Sequence, residues 1–121
     1  MAWSFRSGVS LTVQIVDRLR SEILRDVYPR GTAFPTVRQL AADAAVNPNT
    51  MQKALSLLES EGLLVTHGTA GRCVTDDENI LGRARRLALE KFAAAVVDEA
   101  MNAGISREEL AEYIMKGSSE E

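Results

Sequence analysis

The pattern of apolar positions begins with an amphipathic helix. From Leu11 to about Val27, apolar side chains recur at intervals of three and four, which is the period of one helical face. The segment Tyr28-Pro29-Arg30-Gly31 predicts the end of this helix, because proline restricts the residue before it and glycine adopts turn conformations readily. A short strand over residues 32–34 is expected to follow.

A tight helix-turn-helix comes next. Thr36 and, three residues later, Gln39 have the spacing of a capping box, which opens a short second helix. Asn47 and Pro48 suit the N-cap and the first position of a third helix, since asparagine caps well and the missing N–H of proline is not needed there. Two helices joined by so tight a turn are expected to cross at a steep angle.

The third helix is expected to have two faces of different chemistry. Spacings of three, four and seven separate an apolar face from a polar one that is uncharged apart from Lys53. Asparagine and glutamine are side chains that read base edges in a major groove, whereas the plainer alternative is an ordinary surface in contact with water. The apolar face holds Met51, Ala54, Leu55 and Leu58, and the polar face holds Asn49, Gln52, Lys53 and Ser56.

A β-hairpin is predicted after Gly62, which ends the third helix. Residues 63–66 and residues 72–75 have the composition of two short strands. The glycine-rich stretch 67–71 between them suits the tip of the hairpin.

The rest of the chain is predicted to be helical. The acids at 76–78 favour a helix N-terminus, and a long helix is expected over about residues 78–102. Its apolar side chains cover more than one stripe, so we expect burial on several sides. Residues 103–104 end this helix, and a capping box of Ser106 and Glu109 opens a last short helix.

Composition limits the chemistry that the chain can perform. A single Cys73 excludes an intrachain disulfide, and with a single His67 it leaves too few ligands for structural zinc, so no metal or cofactor is expected. No apolar run approaches the roughly 20 residues that span a bilayer, and the cysteine usage suits a reducing cytoplasm. Nothing pairs with His67 recognisably as nucleophile and orienting acid, which argues against an enzyme.

The net charge of −3 is divided unevenly along the chain. Residues 1–75 carry a net charge of +2, whereas residues 76–121 carry a net charge of −5. A basic footprint for nucleic-acid phosphates can therefore exist on the first part. The 121 residues support one modest core, and the remaining segment of fewer than about fifty residues needs a partner to bury its apolar face.

Two segments carry a resemblance to a known family. The segment FPTVRQLAADAAVNPNTMQKALSLLESEGLL and the later segment TAGRCVT strongly resemble the GntR family of winged-helix repressors, and within it the short YtrA-type subfamily. The likeness covers roughly residues 9–75. It implies a mainly α fold with a small β wing, in which residues 1–75 form a winged helix-turn-helix DNA-binding domain. Residues 76–121 would form a two-helix C-terminal dimerisation segment.

The resemblance also implies roles for individual side chains. Arg38 would contact a phosphate or a base, although a solvated side chain is the plainer alternative. For Asn47, helix capping alone also explains why an asparagine is present. The wing departs from the family pattern at Gly68, where relatives often have a basic residue, and at Cys73, where they often have an aromatic one. The implied recognition surface is Asn47, Asn49, Thr50, Gln52 and Lys53, and the implied wing contacts are His67, Gly68, Thr69, Gly71 and Arg72.

The function that the resemblance implies is transcription regulation by a homodimer, a repressor that binds an inverted-repeat DNA operator. A small-molecule effector fits this plan, although no cluster of residues names its chemistry, and no membrane partner is expected. The alternative is a winged-helix module for protein–protein interaction, which the negative net charge would suit. The residues expected at the dimer interface are Leu81, Leu87, Ala88, Phe92, Val96, Leu110 and Ile114.

Overall fold

The computed structural model describes residues 3–117 as five α-helices, one short 3-10 helix at Gly68–Ala70 and one two-stranded sheet. The chain divides into two compact units, of which the first ends at Arg83 and the second begins at Ala84. Within residues 3–117, no helix is long and apolar enough to cross a membrane. The elements are α1 (Leu11–Leu24), α2 (Val37–Ala44), α3 (Pro48–Ser60), β1 (Leu64–Thr66), β2 (Arg72–Val74), α4 (Glu78–Asn102) and α5 (Arg107–Gly117).

The first helix starts as predicted and ends earlier. The Ser10 hydroxyl accepts a hydrogen bond from the Val13 amide, which confirms the predicted cap. The predicted end near Val27 is wrong, because α1 stops at Leu24 and Asp26 adopts a left-handed conformation with φ of 63°. That backbone turns the chain out of the helix before Pro29 is reached.

The core of the first unit lies between α1, α2 and α3. The side chains that α3 turns inward are fully buried, and they pack with the apolar face of α1, so the predicted amphipathic pattern of both helices is confirmed. Burial of each large aliphatic side chain contributes about 1.5–3 kcal/mol. The fully buried large residues are Ile15, Leu19, Ile23, Leu40, Met51, Leu55, Leu58, Leu63 and Leu64.

The turn between α2 and α3 is fixed by local hydrogen bonds. Thr36 and Gln39 form the predicted capping box, with the Thr36 amide donating to Gln39 Oε1 at 2.9 Å and the Gln39 amide donating to Thr36 Oγ1 at 3.1 Å. Ala45 ends α2 in a left-handed conformation, with φ of 59°. The Val46 amide then closes the turn on the Ala41 carbonyl at 3.0 Å. This geometry sets the direction in which α3 leaves α2.

The hairpin forms a small wing next to α3. Strands β1 and β2 are antiparallel, with Thr66 paired to Arg72, and each strand is one residue shorter than predicted. The short strand expected over residues 32–34 is reduced to a single bridge between Ala33 and Cys73. The Phe34 amide still donates to the Arg72 carbonyl at 2.8 Å, so this segment supports the outer side of the wing.

The first turn of α4 is anchored within the first unit. Asp77 caps the helix, because its Oδ1 accepts from the Asn79 amide at 2.9 Å. Leu81 is buried, and Ile80 packs against Gly62 so closely that a Cβ there would lie 2.9 Å from Ile80 Cδ1. An ion pair joins Glu78 to Arg30.

The second unit is formed by the rest of α4 and by α5. The predicted capping box is confirmed, since the Glu109 amide donates to Ser106 Oγ at 3.0 Å and the Ser106 amide donates to Glu109 Oε1 at 3.1 Å. The expected burial of α4 on several sides is wrong within a single chain. Phe92 is 72 % exposed and Leu87 is 58 % exposed. Helix α5 has 11 residues and is too short to cover a helix of 25.

Candidate nucleic-acid interface

The outer face of α3 is polar and accessible, as its spacing predicts. Gln52 and Lys53 are exposed, and Thr50 is half-buried at the edge of the face. The Gln52 amide nitrogen donates to the Ser56 hydroxyl at 3.1 Å, one turn further along the helix. Since the opposite face is fully buried, α3 is held rigidly by packing while its outer side chains remain available. The exposed members are Asn49, Gln52, Lys53 and Ser56.

Asn47 has a structural role at the start of α3. Its Oδ1 accepts a hydrogen bond from the Asn49 amide at 2.7 Å, which is the N-cap interaction that the sequence predicts. The side-chain NH2 group of Asn47 carries two further donors, and the residue is exposed. Capping therefore occupies the oxygen of this side chain and leaves its nitrogen available.

Arg38 lies in the first turn of α2, which is the first helix of the helix-turn-helix. The side chain is exposed, and it takes part in none of the ion pairs found among residues 3–117. A cation at a helix N-terminus is opposed by the helix dipole, so this position does not stabilise α2. Contact with a phosphate would compensate for that unfavourable placement.

The tip of the wing is exposed and lacks lysine and arginine. Residues 67–71 form a tight turn, in which the His67 amide donates to the Gly71 carbonyl at 2.9 Å. Gly68 and Gly71 have φ values of 50° and 83°, which explains the need for glycine at both positions. The turn brings His67, Gly68, Thr69 and Gly71 to one exposed loop.

Arg72 lies at the start of β2, directly after the wing tip, and is held by a carboxylate. Its Nε donates to Glu59 Oε1 at 3.2 Å, and its side chain is 20 % exposed. Arg72 lines an open cleft of about 330 Å³ between the wing and the start of α2, together with Thr36, Val37 and Gly71. The predicted wing cation is thus present, but it is partly buried and already ordered.

Glu59 is a residue of this surface that sequence reasoning missed. Its Oε2 accepts from the Thr66 hydroxyl and its Oε1 accepts from Arg72 Nε. The hydrogen bond from Thr66, and then that from Arg72, hold the pKa of the Glu59 carboxyl below its ordinary value. The sequence signal for Glu59 is the motif Leu-Glu-x-Glu-Gly-Leu at residues 58–63, which lies in the segment that resembles the GntR family.

A second carboxylate fixes the opposite side of α3. Arg20 of α1 donates to both oxygens of Glu61, from Nε at 3.0 Å and from a terminal nitrogen at 2.6 Å, and its other terminal nitrogen donates to Asp17 at 2.9 Å. The hydrogen bond to Glu61 is the largest cause of the raised pKa of Arg20. Glu59 and Glu61 therefore tie the C-terminal end of α3 to the wing and to α1.

The residues expected at the dimer interface fall into two groups. Leu81 is buried in the first unit, where it anchors α4. The other six belong to the second unit and are exposed or half-buried: Leu87, Ala88, Phe92, Val96, Leu110 and Ile114.

The chain is similar to known bacterial regulators. The model of bacterial regulatory proteins of the gntR family matches residues 11–74, which is more than half of the chain. The HTH-type transcriptional repressor YtrA of Bacillus subtilis (strain 168) is 28% identical over 116 residues, which cover 95% of this chain and 89% of that protein. The HTH-type transcriptional regulator YhcF of the same organism is 26% identical over 110 residues, which cover 91% of each protein.

A solved structure agrees with these relatives. A GntR family transcriptional regulator from Listeria monocytogenes superposes with a TM-score of 0.83 at 26% identity, over 93% of this chain and 98% of that one. The family match covers the same helix-turn-helix and wing whose outer surface was described above. The chain therefore belongs to the gntR family of bacterial regulatory proteins, as a helix-turn-helix, DNA-binding transcriptional regulator rather than an enzyme.

Proposed function

We propose that this regulator is a homodimeric repressor that occupies an operator with the symmetry of an inverted repeat. Residues 1–75 serve as the DNA-binding domain and residues 76–121 as the dimerisation segment. The regulator acts in the cytoplasm, where chromosomal DNA is available to it. Its likeness to the repressor YtrA supports repression as the direction of control.

The observation that carries the proposal is the contrast between the two faces of α3. The inner side chains are fully buried, so the helix is held rigidly, while the outer face presents amide and hydroxyl groups. Amide side chains bind adenine through two hydrogen bonds in the major groove, which gives sequence selection. We assign base contacts to Asn49, Gln52 and Asn47, with Thr50 and Ser56 at the edges of the same surface.

Phosphate contacts supply the remaining affinity in this proposal. Arg38 of α2 and Lys53 of α3 are exposed cations of the helix-turn-helix, and Arg72 supplies a third cation next to the wing tip. The wing tip, formed by His67, Gly68, Thr69 and Gly71, contacts the DNA backbone mainly through main-chain groups, since it carries no lysine or arginine. Binding is therefore expected to weaken as salt rises, by the amount that a few phosphate contacts require.

Dimerisation follows from the exposed apolar surface of the second unit. Phe92 and Ile114 are 72 % and 58 % exposed, and a helix surface so apolar is stable in water when a second copy covers it. A two-fold dimer places two recognition helices in successive major grooves, about 34 Å apart. A small-molecule effector would act by changing the spacing between the two recognition helices. Within residues 3–117, no group of side chains is suited to bind a metal ion.

The test is DNA binding by the purified protein. The DNA upstream of the protein's own gene is compared with a scrambled duplex of the same composition at several salt concentrations. We expect tight binding to the upstream duplex alone, which falls with salt and is lost in the double variant Arg38→Ala, Gln52→Ala.

A matched control separates the role of Arg38 from a general effect of charge. Arg107 is also an exposed arginine in the first turn of a helix, but it belongs to the second unit. Arg107→Ala should leave the affinity unchanged. Failure of the wild-type protein to distinguish the two duplexes would contradict the proposal and favour a module for protein interaction.

A further inference from the structure

One side chain connects the recognition helix to both strands of the wing. Glu59, in the last turn of α3, accepts from Thr66 on β1 and from Arg72 on β2. These two residues are direct cross-strand partners and form the last pair before the tip. Glu59 therefore holds the hairpin at the point where the strands separate into the loop.

This contact also determines how Arg72 is presented. The guanidinium is planar, so a hydrogen bond at Nε restricts the orientation of the whole group. Among residues 3–117, the two terminal nitrogens of Arg72 make no hydrogen bond, and their four N–H donors remain available. Arg72 is the single lysine or arginine between Leu63 and Thr75, so the wing has no other strong cation to offer.

We propose that Glu59 is a positioning residue for DNA binding, which orders Arg72 so that its terminal nitrogens bind a phosphate of the duplex. The inference rests on the proposed function. A side chain that is ordered before binding loses less conformational entropy when the complex forms. The hydrogen bond to Thr66 adds to this effect, because it fixes the wing strand opposite Arg72 relative to α3.

Two effects of Glu59 on DNA binding oppose each other. A carboxylate near DNA repels phosphates, and Glu59 is 32 % exposed. Its charge is paired with Arg72 at 3.2 Å, however, so the repulsion is largely neutralised, whereas the ordering of Arg72 persists. We therefore expect that removal of Glu59 weakens binding.

The experiment is a double-mutant cycle on DNA affinity, measured on the upstream duplex over a range of salt concentrations. Arg72→Ala should reduce the slope of log K against log salt by about one, as expected for one lost phosphate contact. Glu59→Ala should lower the affinity in the same direction and reduce the slope by a similar amount. The double variant should bind no more weakly than Arg72→Ala alone, because both changes remove one contact.

Glu61→Ala is the matched control. Glu61 lies two residues further along and also binds an arginine, but that arginine belongs to α1 and not to the wing. Glu61→Ala should leave the salt slope at the wild-type value. Glu59→Leu, which keeps much of the side-chain size but has no hydrogen-bond acceptor, replaces Glu59→Ala if the alanine variant does not fold.

A readout without DNA tests the positioning directly. The Nε–H of Arg72 should exchange slowly with water in the wild-type protein and in Glu61→Ala, and rapidly in Glu59→Ala. Tighter DNA binding by Glu59→Ala or Glu59→Leu, or an unchanged salt slope in these variants, would overturn the inference. If the wild-type protein binds the upstream duplex selectively but Arg72→Ala has no effect, only the inference about Glu59 is overturned. If the wild-type protein shows no selectivity, the proposed function is overturned as well.

Discussion

The guanidinium of Arg20 and the carboxylate of Glu61 form a bidentate pair that joins α1 to the end of α3, across 41 positions of sequence. The pair is partly exposed, at 26 % for Arg20 and 37 % for Glu61, so its contribution is reduced by solvent screening. Two parallel hydrogen bonds nevertheless give it more directional preference than a simple surface ion pair has.

Arg20→Ala should lower the free energy of unfolding by about 1 kcal/mol, because it leaves Glu61 without its partner. Urea denaturation at low and high salt measures this effect, which should shrink at high salt. Arg25→Ala is the control, since Arg25 is an exposed arginine just past the end of the same helix. Equal stability of the Arg20 variant and the wild type would show that the pair is not stabilising.

The stability that Glu59 contributes should depend on pH. Its folded-state pKa is lowered by Thr66 and Arg72, so the contribution is present above the ordinary glutamate pKa of about 4.3 and is lost as pH falls through the folded value. The wild-type protein should therefore be more stable than Glu59→Gln at neutral pH, and the difference should disappear in acid. Denaturation at several pH values measures it, and a difference that is constant with pH would contradict the assignment.

Gly62→Ala should destabilise the protein by about 1–3 kcal/mol. Gly62 has a φ of 84°, which strains any residue with a side chain, and an added Cβ would lie 2.9 Å from Ile80 Cδ1, so the end of that side chain would also have to shift. The control is Gly82→Ala, since Gly82 lies within α4 with nothing within 4 Å of an added Cβ. That variant should gain roughly 0.5–1 kcal/mol, because alanine favours a helix over glycine. Thermal denaturation of the two variants should shift in opposite directions.

Phe92→Asp combined with Ile114→Asp should convert the proposed dimer into a monomer. Both side chains are exposed and apolar in the single chain, and a buried carboxylate at each would be strongly unfavourable in an interface. Sedimentation equilibrium should show the mass of one chain, against two for the wild type. Val27→Asp, at a position that is 50 % exposed in the first unit, should leave the dimer intact. A wild-type protein that sediments as a monomer would rule out the proposed assembly.

The sequence predicts best those features that depend on neighbouring residues. The capping boxes and the start of α3 at Asn47 and Pro48 are confirmed, because the atoms involved lie within three positions of each other. The early end of α1 was not predicted, because it depends on the left-handed conformation of Asp26. No proline or glycine at that position indicates such a conformation in the sequence.

Contacts between residues that are distant in sequence could not be predicted from the pattern of apolar and polar positions. The pair of Glu59 and Arg72 depends on the register of the hairpin, and the contact of Arg20 with Glu61 depends on how two helices pack. The apolar stripes of α4 predict a surface covered by other side chains, and residues 3–117 of a single chain do not provide that cover. They carried no information on whether that cover comes from the same chain.

The separation of α3 into a buried face and a free face has an evolutionary consequence. Selection for a stable fold acts on the four residues that are fully buried, and it places almost no constraint on the four polar residues opposite them. Under the proposed function, a duplicated copy can acquire a new DNA target through changes at Asn49, Gln52, Lys53 and Ser56 without passing through unstable intermediates. Such a helix allows a lineage of regulators to diversify its targets while its scaffold stays the same.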